Sequence, residues 1–299
     1  MPSLPDFSIV IPTYNRPQQL HRLLSAIVQL DYLPKLVEVI VVDDGGEKPL
    51  DQALKEFQGT LELFLLKQEN KGPSAARNTG AMKAKGKYLA FTDDDCHPHP
   101  GWLNALANAF EKEESLLCGG RTMNALPTNL YSTTTQMLLD YLYKHYSPVE
   151  HMGGFFATNN LALSREMFME TGGFDPELRF GEDRDFCYRW TSHGHPFAFV
   201  PDAVIYHTHN LTLRSFLKLH CYYGGGSYEF RRGVKKKGLQ SVRLSPFRWY
   251  VNLVLSGIRK KDGESGFMYT LLLIASQISS FIGFISGFIR NQMNQKTFS

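Results

Sequence analysis

Three consecutive carboxylates, Asp93, Asp94 and Asp95, follow the apolar run Tyr88–Phe91. Because this run is short, apolar and preceded by Gly86, it is typical of a buried strand that ends at the carboxylates. Adjacent like charges repel one another, and a hard divalent cation with oxygen ligands is their natural counter-charge. The pattern predicts a divalent-cation site at the end of this strand. A solvated acidic turn is the alternative that these residues alone leave open.

The segments before this cluster place other polar residues in the same region. Apolar runs at residues 7–11, 37–42 and 61–66 are typical of strands, and leucines at helical spacing follow the first of them. Strands that alternate with helices over about 90 residues indicate a parallel, doubly wound α/β sheet. In such sheets, ligands bind beyond the carboxyl ends of the strands. Tyr14, Asp43, Asp44 and the cluster at residues 93–95 all fall at those ends.

The phosphate-binding signatures of common nucleotide enzymes are absent from the sequence. No GxGxxG pattern follows the first predicted strand, and no GxxxxGK[ST] pattern occurs. Dinucleotide-dependent dehydrogenases and P-loop enzymes are therefore disfavoured. Residues 70–80 instead place a glycine-bearing turn at the start of a helix, where Lys71 and Arg77 could add positive charge beside an anion. An ordinary helix start with solvated basic residues is the alternative.

Composition and charge limit the class of protein. A chain of 299 residues with 43% apolar and 20% charged residues is typical of a folded protein with a sizeable core. Residues 1–209 carry 18 Lys+Arg against 26 Asp+Glu, whereas residues 210–299 carry 14 against 3, so the net charges are −8 and +11. The basic C-terminal third is expected to meet an anionic partner. Four scattered cysteines without a CxxC pair, and an N-terminus without a secretory signal pattern, favour a cytosolic protein with reduced thiols.

Four segments resemble glycosyltransferase family 2 in their order and spacing: Ser8–Arg16, Val41–Gly45, Asn70–Asn78 and Asp93–Asp95. The resemblance covers about residues 7–210. It implies a GT-A fold, in which a mostly parallel, Rossmann-like sheet is flanked by helices. It also implies an inverting, metal-dependent reaction with a nucleotide-sugar donor.

The resemblance assigns roles to residues of a donor site. It places Pro12, Tyr14 and Asp44 around the base and the ribose. Asp44 matches a carboxylate that reads an imide N–H, which favours a uracil or thymine base. Asp93 and Asp95 match the outer members of the family's DXD motif, with Asp93 near the ribose and Asp95 on the metal. The remaining donor-binding positions implied by the resemblance are Lys71, Gly72 and Arg77.

Residues 181–190 resemble the acceptor motif of the same family. Inversion at an anomeric carbon needs one base that removes the proton of the acceptor hydroxyl as it attacks. A carboxylate at a helix start, beside a second acid and inside a cleft, can serve as that base. The resemblance implies that Asp183 is the base and that Glu182 is an acceptor-binding neighbour. Without the DXD motif upstream, an acidic helix N-terminus stabilised by the macrodipole would be the simpler interpretation.

Two histidines, His207 and His209, follow a predicted strand that begins near Val200. A histidine at a strand end is often only a hydrogen-bonded structural residue. The family resemblance implies instead that His207 is a further metal ligand, with His209 as the close alternative. Mn²⁺ accepts mixed oxygen and imidazole ligands, whereas Mg²⁺ prefers oxygen and water, and the sequence does not choose between them.

After His209 the chain becomes basic and aromatic. Residues 211–299 are predicted to form a helical, membrane-associated extension of a catalytic domain at residues 1–210. Interleaved cations and rings suit a bilayer headgroup region, and no nucleic-acid-binding motif accompanies them. Residues 267–289 carry no charge and are long enough to span a bilayer, although six polar residues make insertion marginal. Gly283 and Gly287 form a small-xxx-small pair suited to packing against another helix.

Together these patterns predict an inverting glycosyltransferase at the cytoplasmic face of a membrane, acting in cell-surface polysaccharide or glycolipid synthesis. It would move a sugar from a nucleotide donor, with UDP or dTDP favoured, to a hydroxyl of a glycan or lipid-linked acceptor. A sugar-nucleotide pyrophosphorylase shares the sheet and the metal chemistry, but it would carry a glycine-rich loop where this chain has Pro12–Asn15. A non-catalytic protein with the same fold is the third hypothesis.

Overall fold

A mixed sheet of eight strands lies at the centre of the computed structural model, which describes residues 6–145, 155–238, 246–260 and 264–297. The strand order across the sheet is β3-β2-β1-β4-β7-β6-β8-β5. In chain order the strands are β1 (Phe7–Thr13), β2 (Val37–Asp43), β3 (Glu62–Lys67), β4 (Tyr88–Phe91), β5 (Cys96–Pro98), β6 (Leu117–Asn124), β7 (Leu161–Ser164) and β8 (Phe197–His207).

The first four strands are parallel, as the sequence predicts. Every residue of β1 and β2 is buried, because helices cover both faces of this half of the sheet. Side chains of β1 alternate between two cores: Ile9 and Ile11 pack on one side of the sheet and Val10 on the other. The carboxyl ends of β1, β2 and β4 therefore meet at one edge of the sheet.

The other half of the sheet brings distant segments to that same edge. Strand β7 runs antiparallel to both β4 and β6, while β8 runs parallel to β6. The short strand β5 pairs antiparallel with the end of β8, in a register that sets Cys96 opposite His207. As a consequence, the end of β8 lies beside the carboxylates that follow β4.

Seven helices accompany the sheet in the described residues up to position 192. The two larger cores lie on opposite faces, and each contains one fully buried tryptophan, Trp102 or Trp190. Cys96, Cys118, Cys187 and Cys221 are free thiols. The helices are α1 (Pro17–Ile27), α2 (Asp51–Lys55), α3 (Pro73–Lys83), α4 (Trp102–Lys112), α5 (Leu130–His145), α6 (Arg165–Glu170) and α7 (Glu182–Ser192).

Three further helices follow the sheet: α8 (Leu213–Lys236), α9 (Phe247–Lys260) and α10 (Glu264–Thr297). Helices α8 and α10 approach closely through glycines. A Cβ atom added at Gly283 would lie 1.8 Å from the carbonyl oxygen of Cys221, and one added at Gly287 would lie 2.9 Å from the ring of Tyr228. The predicted small-residue pair thus packs against a neighbouring helix, which is α8.

The outer face of α10 is apolar and exposed. The most apolar 18-residue window within residues 266–293 has a mean hydropathy of 1.8, and by length and composition alone this segment can cross a membrane. Only one face of the helix is packed on α8 and α9. The opposite face carries an apolar stripe, which we call the outer stripe; its exposed members are Phe267, Leu271, Ile274, Ile278, Phe281, Ile282, Ile285, Phe288, Ile289 and Met293.

Candidate active site

One cavity of about 1160 Å³ lies at the carboxyl ends of β1, β2 and β4. Its wall includes the carboxylates after β4, the end of β8 and the start of α7. Asp95 and Asp183 therefore face a single space rather than two separate ones. Of the residues predicted from sequence, those that line this cavity are Pro12, Tyr14, Asp44, Arg77, Asp93, Asp95, Glu182, Asp183 and His207, together with the alternative ligand His209.

The middle carboxylate of the cluster, Asp94, is a structural residue. It is buried, and it accepts hydrogen bonds from the hydroxyl of Thr13 at 2.7 Å and from the guanidinium of Arg16 at 3.1 Å. Burial raises the pKa of Asp94 to about 6, against the opposing effect of Arg16. Asp94 thus links the loop after β4 to the end of β1. Asp93 and Asp95 flank it as the outer carboxylates of the cluster.

Asp95 and His207 form the most direct contact between the two halves of the site. The Oδ1 atom of Asp95 lies 3.2 Å from Nε2 of His207, and Oδ2 accepts a hydrogen bond from Arg16 at 3.1 Å. Burial opposes ionisation of Asp95, but the hydrogen bond and charge of His207 hold its pKa below the usual range. Burial likewise opposes protonation of His207, yet the hydrogen bond with Asp95 raises its pKa.

His209 lies beside this pair but has a different environment. Its ring centroid is 4.9 Å from that of His207, and burial together with the charge of His207 lowers its pKa to about 4. The carbonyl oxygen of His209 accepts a hydrogen bond from Ser132 of helix α5. The geometry therefore favours His207 over His209 as the partner of Asp95.

The Asp95–His207 pair fits a divalent cation. Two ligands at right angles, each about 2.1 Å from an octahedral ion, lie about 3.0 Å apart, close to the spacing of these two atoms. An ion would take the place of the proton between them, since a ligating imidazole must be neutral. The sulfur of Cys96 is also within 4.8 Å of both atoms, but burial raises its pKa well above the usual value. The carboxylate of Asp95 and the imidazole of His207 form a donor set that suits Mn²⁺ or Mg²⁺ better than a soft metal.

Asp44 is held by the segment that opens helix α3. Its carboxylate accepts hydrogen bonds from the backbone N–H groups of Lys71 and Gly72, both at 2.9 Å, and from the amide of Gln68 at 2.7 Å. Lys71 and Gly72 therefore reach the site through Asp44 and are not themselves part of the cavity wall. The anion that the turn at the start of α3 binds is therefore the carboxylate of Asp44. A carboxylate oxygen has two lone pairs, so Asp44 can still accept a further donor.

Arg77 connects the loop after β4 to the start of helix α7. Its side chain is buried, and its terminal nitrogens donate to Asp93 at 2.6 Å and to Glu182 at 3.0 Å. Arg77 belongs to helix α3, Asp93 follows β4, and Glu182 opens α7, so one guanidinium joins three elements. Its positive charge lies between these two carboxylates.

The start of helix α7 presents Glu182 and Asp183 to the cavity. Gly181 caps the helix with φ = +83°, a left-handed conformation that favours glycine. Burial and the nearby charge of Asp183 raise the pKa of Glu182 to about 7. Burial also raises the pKa of Asp183, although the guanidinium of Arg184 opposes the shift. Two neighbouring acids with raised pKa values in one cavity are typical of a proton-transfer site.

Comparison with known proteins decides the family. A family model described as "Glycosyl transferase family 2" matches residues 8–175, more than half of the chain. The chain belongs to glycosyltransferase family 2. The matched range contains β1, β2, β4 and the DXD motif at Asp93–Asp95, whereas Asp183 and His207 lie beyond it.

Individual members of glycosyltransferase family 2 are similar over longer ranges. The pre-mycofactocin glycosyltransferase of Mycobacterium tuberculosis is 30% identical over 233 residues, which cover 76% of this chain. This chain spans about half of that relative, 47% of its length.

Two solved structures share the fold. One is the mannosyltransferase PcManGT of Pyrobaculum calidifontis in complex with GDP-Man and Mn²⁺, with a TM-score of 0.65 and 16% identity over 93% of this chain and 87% of that chain. The other is S. aureus TarS in complex with UDP, with a TM-score of 0.53 and 17% identity over 97% of this chain and 92% of that one. They confirm the predicted GT-A fold.

The family motifs do not include one wall of the cavity. Helices α8, α9 and α10 close the space opposite the DXD motif, with Tyr223, Trp249 and Phe284 among the lining residues. Sequence reasoning treated residues 211–299 as a membrane extension and gave these side chains no part in the site. It also gave no role to Arg16, although Arg16 stands in the first motif and contacts both Asp94 and Asp95.

Proposed function

We propose that this protein is an inverting glycosyltransferase that moves a sugar from a nucleoside diphosphate to a hydroxyl of a glycan or lipid-linked acceptor. The observation that carries the proposal is a shared cavity: the Asp95–His207 pair and the Asp183 carboxylate line the same space. Membership of glycosyltransferase family 2 supports the reaction class.

The donor would lie along the carboxyl ends of β1, β2 and β4. Tyr14 is exposed and lines the cavity together with Pro12 and Asp44. The ring of Tyr14 would stack on a base, and Asp44 would accept a base N–H. The fold neighbours bind GDP-Man in one case and UDP in the other, so a nucleoside diphosphate suits this fold. A uracil or thymine base agrees with the acceptor character of Asp44.

Asp95 and His207 would hold Mn²⁺ or Mg²⁺, and such an ion, when bound, would neutralise charge on the leaving diphosphate. Arg77 would keep Asp93 and the start of α7 in register through its two hydrogen bonds. Asp183 would accept the proton of the acceptor hydroxyl as the hydroxyl oxygen bonds to the anomeric carbon. The bond from that carbon to the diphosphate oxygen breaks in the same step, and its electron pair leaves with the nucleoside diphosphate. Glu182 would bind the acceptor beside this base.

We also propose that residues 211–299 attach the protein to the cytoplasmic face of a membrane and that nucleic acid is not a partner. The outer stripe is exposed, and residues 246–297 contain only two acids, Asp262 and Glu264, against several arginines and lysines. An apolar face bordered by cations is typical of helices that bind anionic bilayers. Peripheral binding and spanning both agree with the length of α10.

A binding panel followed by a transfer assay tests the proposed function. Thermal unfolding is measured with UDP-, dTDP- and GDP-sugars, each with and without Mn²⁺. We expect one nucleotide class to raise the melting temperature, and to do so more strongly with the ion, because a ligand that binds only the native state stabilises it. A protein that binds none of these donors would be the non-catalytic alternative. Formation of a nucleoside triphosphate from the donor and pyrophosphate would instead identify a pyrophosphorylase.

A further inference from the structure

The cavity has an apolar part that the transfer reaction leaves unexplained. Beyond the carboxylates, its wall is formed by three helices: Leu139 and Leu142 come from α5, Trp249 from α9, and Phe284 from α10. A nucleotide and a metal ion need polar and charged partners, such as Asp44 and Asp93–Asp95. This apolar wall suits a hydrocarbon chain.

The apolar part opens onto the outer stripe of α10. Ile278 and Phe281 line the cavity, yet 56% and 65% of their surfaces are exposed. Both belong to the outer stripe, so these two side chains connect the wall of the cavity to the outer face of the helix. A chain in the cavity can therefore leave along Ile278 and Phe281, past the polar lining residues Gln277 and Ser280.

Exposed arginines and apolar residues on α9 and α10 indicate which partner meets the outer stripe. Arg248, Arg259 and Arg290 are exposed on α9 and α10, and residues 247–259 and 266–293 contain no acid. Exposed apolar residues on α9, Phe247 and Ile258 among them, extend the surface beyond the outer stripe. Cations beside an extended apolar face complement a bilayer that contains anionic lipid.

We propose that the acceptor is a membrane lipid, whose polar head carries the reacting hydroxyl to Asp183 and whose hydrocarbon chain passes between α5, α9 and α10 and leaves between Ile278 and Phe281. This inference rests on the proposed function and narrows its acceptor to a lipid. The lipid enters sideways from the bilayer, so its chain need not cross water. The transfer step itself is unchanged: the hydroxyl proton goes to Asp183 and the nucleoside diphosphate departs.

Photo-crosslinking in vesicles tests this path. The full chain is bound to vesicles that contain anionic phospholipid and a trace of a long-chain alkyl phosphate with a diazirine on its chain. After illumination, labelled residues are mapped by mass spectrometry. We expect label inside the cavity, on Leu139, Leu142 or Trp249, in addition to the outer stripe.

Two matched pairs of variants separate Ile278 and Phe281 from the rest of the outer stripe. In the first pair Ile278→Glu is compared with Ile282→Glu, and the two isoleucines are 56% and 54% exposed. In the second pair Phe281→Glu is compared with Phe267→Glu, and the two phenylalanines are 65% and 62% exposed. Only Ile278 and Phe281 line the cavity. When equal amounts of protein are bound to vesicles, label inside the cavity should be at least about tenfold lower in Ile278→Glu and Phe281→Glu than in their matched controls. The reason is that a carboxylate is costly to bring beside hydrocarbon.

The outcomes separate this inference from the proposed function. Label confined to the outer stripe, or equal effects within each pair, would overturn the inference in favour of simple docking on the bilayer. No labelling anywhere would mean that protein, such as a second copy of the chain, covers this face, and would overturn it as well. Binding and slow hydrolysis of the nucleotide sugar are measured on the same preparations. If the unsubstituted protein neither binds nor hydrolyses the nucleotide sugar, the proposed function is contradicted. If it does both but no label enters the cavity, only the lipid path is contradicted.

Discussion

The Oδ1 atom of Asp95 lies 3.2 Å from Nε2 of His207, although one residue follows strand β4 and the other ends strand β8. The antiparallel pairing of β5 with β8 creates this contact, since Cys96 is set opposite His207 and the amide of Thr208 donates to the carbonyl oxygen of Asp95. The register of a three-residue strand therefore fixes the spacing of the two candidate ligands. Four predictions follow from this contact and from its surroundings.

Removal of either candidate ligand should abolish metal-dependent transfer. We expect Asp95→Asn and His207→Ala to lower kcat/KM by about 10²–10³-fold, the range seen when one electrostatic partner of a transition state is lost. Mn²⁺ affinity, measured by isothermal titration in the presence of the nucleotide, should fall in parallel. His209→Ala is the matched control, and it should keep most of the Mn²⁺ affinity. A larger loss in His209→Ala than in His207→Ala would reverse the ligand assignment.

The pH profile should report the acids at the start of α7. Asp183 must be ionised to accept a proton, and burial raises its pKa, so transfer should decline as the pH falls through a value above the usual carboxylate range. Glu182→Gln removes a neighbouring negative charge and should move this acidic limb to lower pH. Rates measured between about pH 5 and 9 test both statements. Asp183→Asn should retain donor binding but lose transfer over the whole range; an unchanged rate would rule out Asp183 as the base.

Arg77 should contribute to folding stability as well as to the site. Arg77→Met leaves the carboxylates of Asp93 and Glu182 without their buried counter-charge, and we expect the free energy of unfolding to fall by about 3 kcal/mol. Lys87→Met is the control, because Lys87 pairs with Glu114 on the surface and its removal should cost less than about 1 kcal/mol. Urea unfolding of both variants makes the comparison. Equal losses of unfolding free energy in the two variants would mean that the ion pairs of Arg77 contribute no more to stability than a surface pair.

Vesicle binding should depend on the arginines beside the outer stripe. Replacing Arg248, Arg259 and Arg290 with Gln should weaken partition onto anionic vesicles roughly a hundredfold at low salt, at about 1 kcal/mol for each charge. The control with the same change in net charge replaces three exposed lysines of the catalytic body: Lys55, Lys83 and Lys112. Sedimentation with vesicles should separate the two triple variants. If the two triple variants lose vesicle binding equally, binding depends on the net charge of the protein and not on the arginines beside the outer stripe.

Much of the parallel half of the fold could be predicted from sequence. The apolar runs before Pro12 and Asp43 are rich in β-branched residues, and the short run before Asp93 is apolar and preceded by Gly86, so all three identify strands. Parallel strands place their following loops at one edge. For this reason the sequence could predict that Tyr14, Asp44 and the DXD motif lie at one edge of the sheet. The family resemblance supplied the individual roles.

The contacts that complete the site depend on tertiary structure. Strand β5 is too short to leave a periodic pattern, so its register with β8, and with it the Asp95–His207 distance, could be anticipated only by resemblance. The two partners of Arg77 come from different elements, and local sequence gives no sign of them. The sequence predicted helices after residue 210 but could not show that Tyr223 and Trp249 face the cavity, because that follows from how α8 and α9 pack.

Anomalous diffraction at the manganese edge tests directly whether Asp95 and His207 hold a metal ion in the cavity that Asp183 also lines. Crystals of the full chain are soaked with Mn²⁺ and the nucleoside diphosphate that gives the largest thermal shift. We expect one strong peak bonded to Oδ1 of Asp95 and Nε2 of His207, with the diphosphate on the ion and Asp183 facing the same space. A peak bound elsewhere, or a nucleotide outside the cavity that these residues share, would contradict this expectation.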